Sequence, residues 1–289
     1  MLPSYLTDAS MQSIELVATD MDLTLLADDK SMPEGTGRRI DALARRGILF
    51  CAASGRPVPA LRESFPRHHG DMALIADNGA SVYLRGEAIF LDAIDRALYH
   101  EVLSLSARRE DGVPVLCAYD EAYMLERDRR HADTVGIYYR SITCVESFDA
   151  LGVEANKVSI YFPNWDSKRN LDTVYGPRFG SRLYATCAGD EWLDFMNVGV
   201  DKGTGIRRLA EHLHIGLENV AAFGDTYNDI PMLDIVGHGY VMANAAEHMR
   251  EHGDYLAPGN NDAGVLAVID RIVAAVDGAG TARTAAAGA

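Results

Sequence analysis

Asp20 and Asp22 stand one residue apart in Asp20-Met21-Asp22-Leu23-Thr24, directly after the apolar run Ile14-Glu15-Leu16-Val17-Ala18-Thr19. Residues i and i+2 of an extended backbone point the same way, so both carboxylates face one pocket if the strand geometry continues. Two acids so placed suit phosphoryl transfer through a covalent aspartyl phosphate. One carboxylate attacks phosphorus and the other handles the proton of the leaving and attacking oxygens. Taken alone, the pentapeptide serves as well for a solvated loop or a helix N-cap.

Three further segments offer complementary groups. Ala52-Ala53-Ser54-Gly55-Arg56-Pro57 brings a hydroxyl and flexible backbone amides, which suit phosphate oxygens or an ordinary Ser-Gly turn. Val200-Asp201-Lys202-Gly203-Thr204-Gly205 sets a lysine just ahead of a helix, where its charge and the helix N-terminus share one anion or where it is simply solvated. Gly224-Asp225-Thr226-Tyr227-Asn228-Asp229 adds two carboxylates and an amide, and the same residues would also cap a helix. Acids crowded together raise one another's pKa values unless a cation sits among them. Oxygen donors with no histidine or cysteine nearby point to Mg²⁺.

The elements that position these groups follow from the pattern between them. Leu16–Ala18 reads as a strand, Pro33 can start and Gly47 can stop a helix with Ile40, Leu43 and Ala44 on one face, and Ile48–Ala53 reads as the next strand. A short strand at Met72–Ala76 follows. Later the chain alternates again: helix from Gly205 through Leu213, strand Val220–Phe223, helix Ile230–Val236, strand Tyr240–Met242 and a terminal helix Ala263–Val276. Alternation of this kind implies an α/β, doubly wound parallel sheet, with its ligands beyond the carboxyl ends of the strands. All four segments fall there, which favours the chemical reading over four separate turns. The tail, 278–289, has little to bury and is expected to be disordered.

Between the two halves the pattern changes. Val115–Tyr119, Ile137-Tyr138-Tyr139, Val158–Phe162 and Leu183–Cys187 are tyrosine-rich or β-branched, with helical stretches between them. This reads as an α+β insertion, residues 86–190, into a core made of 1–85 and 191–289. Its tyrosines are read as packing residues of a sheet, and none is assigned a role.

Composition narrows the partners. The chain has 289 residues, 48% apolar and 24% charged, the profile of a globular protein with room for two domains. A net charge of −15 repels nucleic acid and anionic membranes. An acidic protein that handles phosphate needs a cation, a lysine or a helix N-terminus in its site. Cys51, Cys117, Cys144 and Cys187 form no C-x-x-C pair, so they are read as free thiols in a reducing compartment. The nine histidines share no metal spacing. No secretory signal and no apolar run of spanning length is visible, which gives a cytoplasmic expectation.

In this order and spacing, DMDLT, ASGRP, DKGTG and GDTYND resemble the four motifs of the haloacid dehalogenase-like hydrolase superfamily. The short interval between the first two and the long one before Lys202 resemble the Cof-type (subfamily IIB) phosphatases, whose cap domain is inserted there. Ala76-Asp77-Asn78-Gly79-Ala80, Val241-Met242-Ala243-Asn244-Ala245 and Asn260-Asn261-Asp262-Ala263-Gly264-Val265 extend the similarity along the chain. The resemblance implies that Asp20 is the nucleophile and Asp22 the general acid and base. It implies Mg²⁺ on the Asp20 carboxylate, the Asp22 carbonyl and Asp225, with Asp229 ordering metal-bound water. Ser54, Gly55, Arg56, Asn228 and Lys202 would bind the phosphoryl group, Lys202 also restraining Asp20, and Thr24 would brace the first loop. One departure stands out: Leu23 occupies a position usually held by glycine.

The expected activity is Mg²⁺-dependent hydrolysis of a small phosphorylated metabolite, with a sugar phosphate as first guess. A phosphosugar mutase differs by returning the phosphoryl group to a sugar, and isomerised phosphosugar without phosphate release would mark it. A silent phosphometabolite-binding protein would not need both Asp20 and Asp22. The sequence does not announce the cap residues that set specificity, nor an oligomeric state.

Overall fold

Strands with both faces covered are apolar at nearly every position, and the first strand, Leu-Val-Ala-Thr, is buried throughout. The structure is a computed structural model that describes residues 2–119, 121–139 and 141–287. The chain first lays down β1 (Leu16–Thr19), β2 (Leu49–Ala53), β3 (Ala73–Ala76), β4 (Ser81–Leu84) and β5 (Glu87–Leu91). It then builds β6 (Val113–Ala118), β7 (Glu121–Leu125), β8 (Ser141–Val145), β9 (Lys157–Tyr161), β10 (Leu183–Cys187) and β11 (Trp192–Asn197). It returns for β12 (Val220–Gly224), β13 (His238–Met242) and β14 (Tyr255–Ala257).

Among the described residues these form two sheets, of order β14-β13-β12-β1-β2-β3-β4-β5 and β10-β11-β9-β6-β7-β8. In the first, β14 through β3 run parallel, while β4 and β5 are antiparallel. Side chains alternate between its faces. Val17, Phe50, Leu74 and Phe223 pack with Ile40, Leu43 and Ile269 on one side, and Leu16, Cys51, Ile75 and Ala222 with Ile206, Leu209 and Leu233 on the other. This is the doubly wound α/β core, with an α+β cap built on the second sheet. In the core, the chain proceeds one way from β1 to β2 and the other way from β12 to β13. The switch point lies between β1 and β12, where such sheets bind ligands.

The cap sheet has one face against helices and one open to the core. Leu116, Val158, Ile160, Leu193 and Phe195 pack with Tyr99, Val102, Tyr175 and Phe179. Lys157, Ser159, Trp192 and Asp194, on the alternate positions, line a cavity.

Several expectations change. The division at 86 and 190 cuts across the sheets, because β5 pairs with β4 in the core and β11 pairs with β9 and β10 in the cap. We propose that the two units divide near residues 92 and 198. Ile137-Tyr138-Tyr139 is no strand: it follows the short helix Ala132–Gly136 and places both tyrosines on the cavity wall. The terminal helix does not stop at 276 but runs Gly264–Ala287. Alanine is the strongest helix former, so a run with little to bury still holds helical geometry, and Arg46 with Asp277 adds an ion pair with its shortest contact at 2.5 Å.

Candidate active site

The acids converge at the switch point. Asp20 follows β1 and Asp225 follows β12, while Lys202 opens the helix Lys202–Leu213. That helix starts where it does because Asp201 and Thr204 close a capping box, with the Thr204 amide donating to Asp201 Oδ1 at 2.7 Å and the Asp201 amide to Thr204 Oγ1 at 2.9 Å. Two glycines allow the close approach. At Gly203 a Cβ would overlap the Pro231 carbonyl, and at Gly79, where φ is +98°, it would overlap the Asp201 carbonyl. Lys202 is thereby fully buried, its Nζ 2.6 Å from Asp20 Oδ1 and 2.6 Å from Asp229 Oδ1.

Asp229 also closes its own segment, where Oδ2 accepts the amides of Asp225 at 2.9 Å and Thr226 at 3.1 Å. The capped turn and the chemical cluster are therefore one structure, with Thr226 as the cap residue. Thr24 donates to Asp225 Oδ1 at 2.7 Å, so it braces the acid after β12 and thereby ties the first loop to it. Asp20, Asp225 and Asp229 present ligand oxygens within 4.8 Å of one another. Asp20 Oδ2 and Asp225 Oδ2 accept no hydrogen bond among the described residues.

Electrostatics agree with a cation between those oxygens. Burial pushes Asp20 up to about 7, with Lys202 pulling it down and Asp229 and Asp22 adding to the rise. Burial, then Asp229 and Asp20, push Asp225 well above the usual carboxylate range. Burial alone would lower Lys202, yet Asp20 and Asp229 raise it, so it stays charged. Two crowded, buried acids with free oxygens and no nitrogen or sulfur donor fit a hard divalent ion such as Mg²⁺.

Asp22 is held apart from that cluster. Arg56 grips it through Nε to Oδ2 and Nη2 to Oδ1, both at 2.7 Å, and Lys30 Nζ reaches Oδ1 at 2.8 Å. Burial would raise this carboxyl, but Arg56 and then Lys30 hold it below its ordinary value. Sequence reasoning assigned Arg56 to phosphate, whereas here its guanidinium is committed to Asp22, and it did not single out Lys30. Leu23 explains the glycine expected at its position: its φ is +58°, in the left-handed region. Its carbonyl accepts from Asn244 Nδ2 at 2.8 Å.

The cap reaches the site through groups the sequence did not announce. Lys157 Nζ donates to the Gly55 carbonyl at 2.5 Å and lies 3.5 Å from Asp194 Oδ2 and 3.8 Å from Asp77 Oδ1. Asp194 also accepts from Ser159 Oγ at 2.6 Å and Asn78 Nδ2 at 2.8 Å, and Asn78 Oδ1 accepts from Asn228 Nδ2 at 3.0 Å. Asn228 Oδ1 is buried without a partner and its side chain lines the cavity, as do Ser54, Gly55 and Arg56. Burial pushes Asp77 up to about 7 against the pull of Lys157. Within Lys157-Val158-Ser159-Ile160-Tyr161 the lysine reads as the polar face of a half-buried strand, so only the pairing of cap and core reveals it. The core motifs and the cap residues enclose one cavity of about 570 Å³.

Comparison with known proteins agrees with this arrangement. The family described as haloacid dehalogenase-like hydrolase matches residues 17–269. The 5-amino-6-(5-phospho-D-ribitylamino)uracil phosphatase YbjI of Escherichia coli (strain K12) is 29% identical over 263 residues, covering 90% of this chain and 97% of that protein. The HMP-PP phosphatase of Enterobacter sp. (strain 638) is 28% identical over 234 residues, 80% of this chain and 84% of its own. A Streptococcus mutans UA159 structure superposes with a TM-score of 0.85 at 26% identity, covering 90% of this chain and 99% of that one. A subclass IIB sugar phosphatase of the superfamily shares the fold, with a TM-score of 0.74 at 20% identity over 90% of this chain and 99% of its own. By sequence match, topology and site, the chain belongs to the haloacid dehalogenase-like hydrolase family, with the fold of its subclass IIB.

Proposed function

We propose that this chain is a Mg²⁺-dependent phosphatase that hydrolyses a small phosphorylated metabolite through an aspartyl phosphate on Asp20, a sugar phosphate being the starting class. The observation that carries the reading is Lys202 bridging Asp20 and Asp229 while Asp225 stands in the same cluster. The named activities of the two phosphatase relatives support a small phosphorylated substrate. Mg²⁺, held by Asp20, Asp225 and the Asp22 carbonyl, would offset negative charge on the phosphoryl oxygens. Asp20 attacks phosphorus, the bond to the leaving oxygen breaks, and Asp22, which takes up a proton once it is out of reach of Arg56 and Lys30, gives that proton to the leaving oxygen. Asp22 then takes a proton from the water that attacks the phosphoaspartate, which returns Asp20 and releases phosphate. Lys202 orients Asp20, while Ser54, the Gly55 amide and Asn228 hold phosphoryl oxygens. Asp22 leaves its clamp with Arg56 and Lys30 to act on substrate, and the cap shields the site from bulk water.

Activity is expected to require Mg²⁺ and to vanish with a chelator; full turnover in a metal-free preparation would refute the cation assignment. Asp20→Asn should form no acid-labile phosphoenzyme. Asp22→Asn should still form one from an ester with a strongly acidic leaving group and then accumulate it, because proton transfer is worth about 10²–10⁴-fold. Trapping of radiolabelled phosphoenzyme checks both, and normal turnover of alkyl phosphates by Asp22→Asn would reverse the assignment of roles.

A further inference from the structure

A turn that holds an anion through N–H and O–H donors must keep its own carbonyl oxygens turned away from it. In Ser54-Gly55-Arg56 all three carbonyls are tied back. The Asn78 amide donates to the Ser54 carbonyl and the Asp77 amide to the Arg56 carbonyl, each at 3.0 Å, both from the core segment that follows β3. The middle carbonyl has a different keeper. Lys157 Nζ reaches it from β9 of the cap, donating to the Gly55 carbonyl at 2.5 Å.

These ties decide which donors the turn has left. The Gly55 amide makes no hydrogen bond among the described residues, and Gly55 lines the cavity. Carbonyl and N–H of one trans peptide point opposite ways, so fixing the Gly55 carbonyl also fixes the Arg56 N–H. That N–H donates to Ser54 Oγ at 3.2 Å. With an oxygen lone pair occupied in this way, the Ser54 hydroxyl keeps its hydrogen for an acceptor in the cavity it lines.

The lysine is placed for this one contact. It is 3% exposed, and its charge partners stand farther off, Asp194 Oδ2 at 3.5 Å and Asp77 Oδ1 at 3.8 Å. Burial alone would lower its ammonium, yet Asp194 foremost raises it, so it stays a charged donor. Asp77 Oδ1 accepts no hydrogen bond and serves the lysine as a charge alone. A Cβ on Gly55 would lie 3.2 Å from Asn78 Oδ1 and 3.5 Å from Asp194 Oδ2, so core and cap both press on the turn.

We propose that Lys157 is a positioning residue: from the cap it holds the Gly55–Arg56 peptide so that the Ser54 hydroxyl, beside the Gly55 amide, presents its hydrogen to a phosphoryl oxygen. This rests on the phosphatase reading above and extends it, because the phosphate cradle is then complete only with the cap in place. The core alone ties back two of the three carbonyls.

The test is calorimetric binding of inorganic phosphate to the full chain in Mg²⁺ buffer, beside kcat and KM for p-nitrophenyl phosphate. Lys157→Met should weaken phosphate binding about tenfold and raise KM more than it lowers kcat. Ser54→Ala should cost about as much, and in its background Lys157→Met should add less than about twofold, because the lysine acts through that hydroxyl. Removing the cation strands two buried carboxylates, so Lys157→Met is also made with Asp77→Asn, which restores the charge balance of the cluster. The double variant should still bind phosphate about tenfold more weakly than the parent. If no ester is hydrolysed, the phosphatase reading fails while phosphate binding still decides this one. Parent-like phosphate affinity in either Lys157 variant, an undiminished further loss when Lys157→Met is added to Ser54→Ala, or a parent chain that binds no phosphate overturns the proposal.

Discussion

Lys202 contributes a positive charge with no water to share it, and each of its two carboxylate partners is buried with it. Removing one member of a buried ionic set leaves the others uncompensated, which costs about 3–5 kcal/mol. Lys202→Met should therefore lower stability by about that amount in urea unfolding without metal, besides abolishing turnover. Loss of activity with unchanged stability would show that the two acids take up protons instead. Asp20 and Asp225 were legible because each directly follows a strand whose apolar run is visible in the sequence, Asp229 because it shares the segment that follows β12, and Lys202 because it stands at a helix start. Asp194 and Lys157 were not legible: their meaning depends on Asn78 and Gly55, more than a hundred residues away, which no local pattern encodes. Arg56 was found in the right loop, but its grip on Asp22 was not foreseen, because a Ser-Gly-Arg turn does not reveal which carboxylate the arginine will meet.

The turn after β1 shows what an element demands of a residue. Leu23 holds a φ of +58° between Asp22, at −75°, and the buried Thr24, so the chain reverses there before leaving the site. Left-handed geometry costs an L-residue about 1–2 kcal/mol, and glycine avoids that while losing about 0.5–1 kcal/mol in backbone entropy. The terms nearly cancel, so Leu23→Gly should shift stability by less than about 1 kcal/mol, whereas the β-branched Leu23→Val should lose about 1–2 kcal/mol. Urea unfolding of both variants checks this, and equal losses would mean that the leucine's contacts, not its backbone, dominate. The regular elements were readable to within a few residues wherever period and caps agreed. β4, β5 and β14 were missed because such short strands carry too few alternations to register; β5 and β14 lie at the sheet edges, and β5 is mostly exposed.

At the scale of the molecule, the N-terminal segment is fastened to the far edge of the core. Ser4 bridges to Leu256, and Asp8 accepts from Tyr240 OH and pairs with His238 Nδ1, both at 2.6 Å. Burial would raise the Asp8 carboxyl, but the hydrogen bonds from Tyr240 and then His238 hold it below the usual carboxylate range. A depressed value in the folded state means stability that is fully present above the ordinary carboxylate value and lost as pH falls from there through the depressed one. Asp8→Asn should thus cost about 1.5–3 kcal/mol at neutral pH, and the gap to the parent should close as the pH falls below the ordinary carboxylate range. A gap that persists in acid would assign the loss to packing. No helix among the described residues is long and apolar enough to cross a membrane. The strand order carries one more consequence, for how the chain acquires this shape during synthesis. β1 pairs with β12, which leaves the ribosome about two hundred residues later, so one edge of the central strand stays open while the cap sheet, whose partners all lie within residues 113–197, can already close. The newborn protein thus passes through a stage with its cap sheet assembled and Asp20 on a half-finished core sheet, which is when a chaperone that shields strand edges matters most.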